Sequence, residues 1–306
     1  MDKFNISSTD YTHSYLPQYL AEYLGFFKDV DLQVHTDVPE NWTQCLKDIN
    51  AGTHHAVCGG IWVPSIYVQH QVKQYRAFCK LASRCGMMLV GRTPMPEPYD
   101  WRYFENKLVL VPCYGGASPY IWFQGCLSEG GADISKVKFM HDFEGAMLNE
   151  CFEFGDWGDA MFTSAYNARR LEKAGKAHVV CEMGVRSQPS PWSVYYATPE
   201  VLDRSDDLCG RFSLAIQRAI DWIREHDAND CRELIEQKFA DQDIAICIDV
   251  INQYRRDGIW GDSIKIGKEE TDHYAAFQVD VGTIDRILDY DELIDIRPWQ
   301  FVQAHK

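Results

Sequence analysis

From the N-terminus to about residue 185, two rhythms of apolar and polar positions alternate. Leu16, Tyr19, Leu20, Tyr23, Leu24 and Phe27 recur three and four apart and predict a helix. Ser14 is its expected cap, Pro17 falls in the first turn where a missing N–H costs little, and Gly25 lies near its end. Residues 31–36 (DLQVHT) predict a strand, and Trp42, Cys45, Leu46 and Ile49 the next helix, stopped by Gly52. His55–Cys58 reads as a short strand ending in Gly59-Gly60. A helix over Trp62–His70 and a strand over Tyr75–Leu81 follow.

The same grammar restarts at Met87. Strands are predicted at 88–91, 107–112, 137–140, 159–162 and 178–181, with helices at 118–129, 144–154 and 165–174 between them. Strands that alternate with helices imply a parallel sheet built from βαβ units. After a strand over 192–197, the chain reads as almost entirely helical: 206–226, 230–239, 244–256 and a segment near 283–288.

That topology directs attention to the strand ends, because open α/β sheets hold ligands beyond the carboxyl ends of their strands, at helix N-termini. Four such ends carry small or polar residues: Ser7–His13, Gly59–Trp62, Cys113–Ser118 and Thr163-Ser164. Two belong to the first block and two to the second, so separate lobes could present them across a cleft.

Composition narrows the partners. The chain of 306 residues suffices for about two domains, and its net charge of −15 comes with no basic cluster. Nucleic acid and anionic membrane surfaces are therefore not expected partners, whereas a small anion in a local pocket remains compatible. No run reaches the roughly 18 apolar residues of a membrane span, and residues 1–20 lack the apolar stretch of a secretory signal. Eleven scattered cysteines, with no CxxC pair, suit a reducing compartment, and a cytoplasmic location is expected.

The segment Tyr15–Lys28, with Ile49–Thr53, Asp159–Ala165, Phe212–His226 and Tyr254–Trp260, resembles nitrate/sulfonate-type solute-binding proteins and the thiamine-pyrimidine synthase family that shares their fold. The resemblance implies an α/β, type II periplasmic-binding-protein-like fold, with two α/β lobes, a central cleft and a helical C-terminal segment. One lobe would be 1–86 plus 188–306, and the other 87–187. The synthase's pyridoxal-phosphate lysine aligns near Gly59, its consumed histidine near Val63, and its cysteine cluster near Pro189–Trp192. A related desulfinase's cysteine aligns near Thr12 and its arginine near Val57. None of these chemical groups is kept, so neither known reaction is expected, and no cofactor is implied.

Candidate residues follow from the strand ends. Cys113, at a helix start where unpaired N–H groups lower a thiol's pKa, is a candidate nucleophile. Tyr114, Gly115, Gly116 and Ser118 would bring backbone amides and a hydroxyl to an anion. His13 beside Asp10 is a candidate acid or base, with Thr9, Tyr11 and Thr12 binding ligand. Gly59 and Gly60 open room beside Trp62, whose indole offers a stacking face. Thr163 and Ser164 end a strand; Arg186 could pair with a carboxylate or sulfonate, and Trp192 could line the same wall. His54 and His55 point to opposite faces of a strand and cannot chelate together, so no metal is expected.

The favoured reading is a cytoplasmic enzyme acting on a small anionic or planar heterocyclic or aromatic substrate, by a lyase-type or biosynthetic reaction. The alternative is a non-catalytic solute-binding protein for a small sulfonate, pyrimidine or similar ligand, acting as an importer's receptor or a cytoplasmic sensor. A homodimer is compatible with either.

Overall fold

The computed structural model describes residues 1–112 and 118–306. The candidates Cys113, Tyr114, Gly115 and Gly116 lie outside the described residues. The strands run in chain order as β1 (Asp2–Ser8), β2 (Leu32–Asp37), β3 (Ala56–Gly59), β4 (Arg76–Ala82), β5 (Met87–Gly91), β6 (Leu108–Leu110), β7 (Lys138–Met140), β8 (Ala160–Ser164), β9 (His178–Glu182) and β10 (Ser193–Ala197). They form two five-stranded sheets, β2-β1-β3-β10-β4 and β7-β6-β8-β5-β9. The chain divides into two compact units, Met1–Arg84 with Pro189–Lys306, and Cys85–Gln188.

In the first unit β1 lies parallel to β2 and β3, as alternating strands and helices lead one to expect. β10 breaks the pattern. It lies antiparallel between β3 and β4, with all five of its residues buried. A strand covered on both faces reads as a continuous apolar run, and Ser193–Ala197 does so apart from its first hydroxyl. The second unit repeats the device with β5, which is antiparallel to both β8 and β9. β6 is parallel to β7 and β8. The expectation of purely parallel sheets is thus corrected: each sheet is mixed because it takes in a strand from next to the point where the chain passes between units.

An aromatic stack forms the first unit's core. Phe212, on the helix Leu208–Glu225, stacks on Phe4 of β1 at 4.4 Å and on Phe27 at 5.4 Å, and meets Tyr195 of β10 edge-on at 4.8 Å. The same helix admits the C-terminal helix Arg297–His305 at Gly210. A Cβ there would come within 2.6 Å of the Phe301 ring, so only glycine permits the approach.

Two helical expectations need correction. The segment Thr283–Leu288 is not helical; Gly282 turns the chain with φ +74°, and Ile284 and Leu288 are buried as part of an irregular stretch. Helices occur instead at Lys268–Asp280 and Arg297–His305. The first buries Thr271 and Gln278 beside Tyr274 and Phe277, so its inner face has no apolar stripe to read. Its start is fixed by Glu270, which accepts from the Gly267 N–H and pairs with Lys80 of β4 at 2.5 Å. Ser14 does not cap the first long helix: it lies inside a 3₁₀ turn, His13–Tyr15, and the helix begins at Leu16 with Pro17 in its first turn.

Because Phe212 joins that helix to β1 and β10 at once, Phe212→Ala should cost about 3–5 kcal/mol in the unfolding transition of the first unit. Chemical denaturation checks this, and a loss below about 1 kcal/mol would contradict the role given to the stack.

Candidate functional site

At the carboxyl end of β1 the chain leaves the sheet as Ser8-Thr9-Asp10-Tyr11-Thr12. The pairing runs one residue past the strand, with the Thr9 N–H donating to the Cys58 carbonyl at 2.9 Å. Thr9 then packs where a side chain at position 59 would have been. A Cβ on Gly59 would lie 2.9 Å from Thr9 Cγ2, so the glycine that ends β3 is what lets this side chain settle over the strand end. The Tyr15 hydroxyl lies against the Thr9 and Ser193 side chains. The Ser8 hydroxyl donates to the Asp10 carbonyl at 2.9 Å, and the Asp10 carboxylate accepts the Tyr11 N–H at 2.7 Å. Tyr11 in turn donates through its hydroxyl to the Lys238 carbonyl at 2.9 Å.

These contacts set one wall of a hollow of about 160 Å³ whose other sides are Gln18, Tyr19, His35 and Thr36. The Gln18 amide donates to Thr36 at 3.0 Å, which fixes the far wall. Asp10 is open at its surface yet densely surrounded, and that partial desolvation raises its carboxyl above the ordinary carboxylate value, offset by the Tyr11 N–H.

His13 behaves otherwise. It is buried, stacked face to face on Phe239 at 4.1 Å, and burial pushes its imidazole down to about 4. At neutral pH it is uncharged and a weak base. The described cysteines are also quiet. All are free thiols, only Cys151 is partly open, and burial pushes Cys58 up to about 12 and Cys247 up to about 11. Cys58 and Cys247 are therefore protonated at neutral pH and are poor nucleophiles. Among the described residues, no group of three or more His, Cys, Asp or Glu side chains is arranged to hold a metal. His54 pairs with Asp37 at 2.8 Å while His55 accepts from the Asn5 N–H at 2.9 Å, so the adjacent histidines do serve separate faces.

In the second unit, Thr163 and Ser164 end β8. Ser164 caps the following helix by accepting the Asn167 N–H at 3.2 Å. Thr163 is buried and donates to Asn149 at 3.2 Å, while the Asn167 amide donates to both Asn149 and Thr163 at 3.0 Å. Arg170 extends this ladder from Asn167 to Glu153. Sequence reasoning misses Asn149 and Asn167, because neither belongs to a motif; only their position one helix away from a strand end could have marked them. Ser118 is buried at the start of the helix Ser118–Glu129.

The remaining candidates separate. Gly60 follows β3 directly. Trp62 is 8% exposed, meets Trp42 edge-on at 5.3 Å, and lines a second hollow rather than the one beside Asp10. Thr12 is half-buried and accepts the Tyr15 N–H through its carbonyl at 3.0 Å. Trp192 is half-buried and continues the pairing of β10 through its N–H to the Ala82 carbonyl at 3.0 Å. Arg186 is exposed and lies over the Tyr99 ring at 4.4 Å.

No family model matches the chain. A putative binding protein, YtlA, of Bacillus subtilis strain 168 is 26% identical over 298 residues, covering 95% of this chain and 87% of its own. Among solved structures, the periplasmic aliphatic sulphonate-binding protein SsuA of Escherichia coli superposes with a TM-score of 0.73 at 12% identity, covering 96% of this chain and 97% of SsuA. The desulfurization enzyme DSZB, solved as a cysteine-to-serine mutant in complex with biphenyl-2-sulfinic acid, superposes with a TM-score of 0.68 at 12% identity, covering 100% of this chain and 99% of its own. The chain has the periplasmic-binding-protein fold.

Proposed function

We propose that this protein binds a small organic solute without transforming it, and that organosulfonates are the class to test first. The observation that carries the reading is the chemistry of the β1 strand end. It offers hydroxyls at Ser8 and Thr9, a carboxylate at Asp10, and a histidine that burial keeps neutral. Groups of this kind orient a solute; they do not supply a strong base or a thiolate. The similarity to a protein described as a putative binding protein, and to a sulphonate-binding protein over nearly the full length, supports the same reading.

The Thr9 hydroxyl is the donor offered to the solute's acid group, and the neighbouring hollow, lined by the carboxylates of Asp10 and Glu22, suits a part of the solute that carries hydrogen-bond donors. The likeness to DSZB with its bound sulfinic acid favours the enzymatic reading instead. Against it stands Thr12, the position aligned with the desulfinase cysteine, which offers a hydroxyl and no thiol. The lyase-type reading drawn from sequence has less support than binding alone.

Calorimetric titration with 2-hydroxyethanesulfonate and methanesulfonate tests the proposal. Saturable binding is expected, weakened about three- to tenfold by Thr9→Val, which keeps the shape and removes the hydroxyl. Absence of binding for every sulfonate tried, or an affinity indifferent to Thr9→Val, would remove this solute class or this loop from the account.

The neutral His13 has its own consequence. Its folded pKa, about 4, lies below the unfolded value near 6.5, so the unfolded chain takes up the proton first as pH falls. The stability that neutral His13 permits is fully present above about pH 6.5 and declines toward pH 4, by at most about 3 kcal/mol. His13→Gln should flatten that part of the pH–stability curve. Equal slopes between pH 6.5 and 4 in parent and variant would show that His13 is not buried neutral.

A further inference from the structure

The helices Gln44–Asn50 and Trp62–Gln69, which follow β2 and β3, enclose between them a groove of about 330 Å³. We infer that this groove is a second ligand site, separate from the hollow beside Asp10, and that it takes a planar aromatic anion carrying a hydrogen-bond acceptor.

The groove runs from an aromatic end to a polar end. Trp42 and Trp62 meet edge-on at the first, and Leu46 and Ile66 form its sides. Such walls suit a flat ring, which buries large apolar area against indole faces and edges. At the other end Tyr67 packs on Tyr75 at 5.4 Å, and Tyr75 donates its hydroxyl to Asn50 Oδ1 at 2.8 Å. That bond fixes the amide so that its two N–H donors, not its oxygen, are left for a ligand. One turn back on the same face stands Lys47, exposed and without an ion pair among the described residues. Among the described residues no carboxylate lines the groove, although the chain carries 45 acidic residues against 30 lysines and arginines. An anion placed there meets a cation and two amide donors.

The second observation is Trp62 itself. Its side chain is more than nine-tenths buried, and Nε1 is a donor with no hydrogen-bond partner among the described residues. Buried indole N–H groups ordinarily find an acceptor, and this one points to an acceptor on the ligand. A ring nitrogen or carbonyl opposite the acid group supplies it, with a slight turn of the half-buried Trp42 to admit it. This inference stands apart from the solute proposed for the β1 strand end, since the two hollows share no lining residue.

Isonicotinate and benzoate separate the two requirements, because both carry the carboxylate and only the first has a ring acceptor. Calorimetry on the full chain, with tryptophan fluorescence in parallel, should show isonicotinate binding about fivefold tighter than benzoate. Trp62→Phe should erase that preference, and Lys47→Met should weaken both ligands. Ile66→Trp should block both by filling the groove, with melting curves confirming that each variant folds. A saturating alkanesulfonate should leave isonicotinate binding unchanged. No binding of isonicotinate in the millimolar range, or binding unaltered in Lys47→Met and Ile66→Trp, would overturn the inference. Displacement by the sulfonate would also overturn it, while leaving the solute-binding proposal standing.

Discussion

The first unit depends on one strand that arrives late. β10 reaches the sheet only after the chain has built the whole of Cys85–Gln188, and it lies between β3 and β4, which would otherwise present unpaired edges to each other. An unpaired buried N–H or C=O costs as much as a lost hydrogen bond, so the sheet is complete only when Ser193–Ala197 is in place. The strand's side chains extend its reach. Tyr195 meets Phe212 on one side, and its hydroxyl donates to Gln18 at 2.5 Å, so one residue joins the sheet, the aromatic core and the first long helix. Non-local pairing of this kind favours slow assembly, because the loop closure must come before the contacts that reward it.

The strand-end loop inherits its shape from that sheet. Thr9 can rest over β3 because position 59 has no side chain, and Tyr15 can reach Thr9 and Ser193 together because β10 has brought Ser193 alongside. Burial then divides the nearby titratable groups. Asp10 keeps an open surface and a backbone donor, while His13 is sealed against Phe239 and loses its charge. Two residues three apart in sequence are therefore left with opposite capacities: one can receive a donor from a solute, and the other is packing. The same force keeps the Cys58 and Cys247 thiols protonated.

Much of the architecture is legible in the chain. Short apolar runs mark the strands, small polar residues mark their ends, and the likeness of Tyr15–Lys28 to solute-binding proteins points to the observed fold. The sense of β5 and β10 is not legible, because pairing partners are chosen by segments far away and a buried central strand reads the same in either direction. His13 and Asp10 look like a catalytic pair because sequence shows adjacency and not the Phe239 ring supplied by a distant helix end. Trp62 reads as a stacking face for a ligand beside Gly59 and Gly60; its partner across the helix groove, Trp42, reads only as part of a helical stripe. The Asn149–Thr163–Asn167 ladder escapes notice because side-chain amides inside helices leave no periodic trace.

The central claim is that the protein holds a solute and returns it unchanged. Mass spectrometry of the small molecules released from the protein, after incubation with extract of its host, tests this most directly. The account predicts a released compound identical in mass to one already present in the extract, in an amount limited by the number of protein molecules. A new compound that accumulates over many turnovers would contradict the account and establish an enzyme in place of a binding protein.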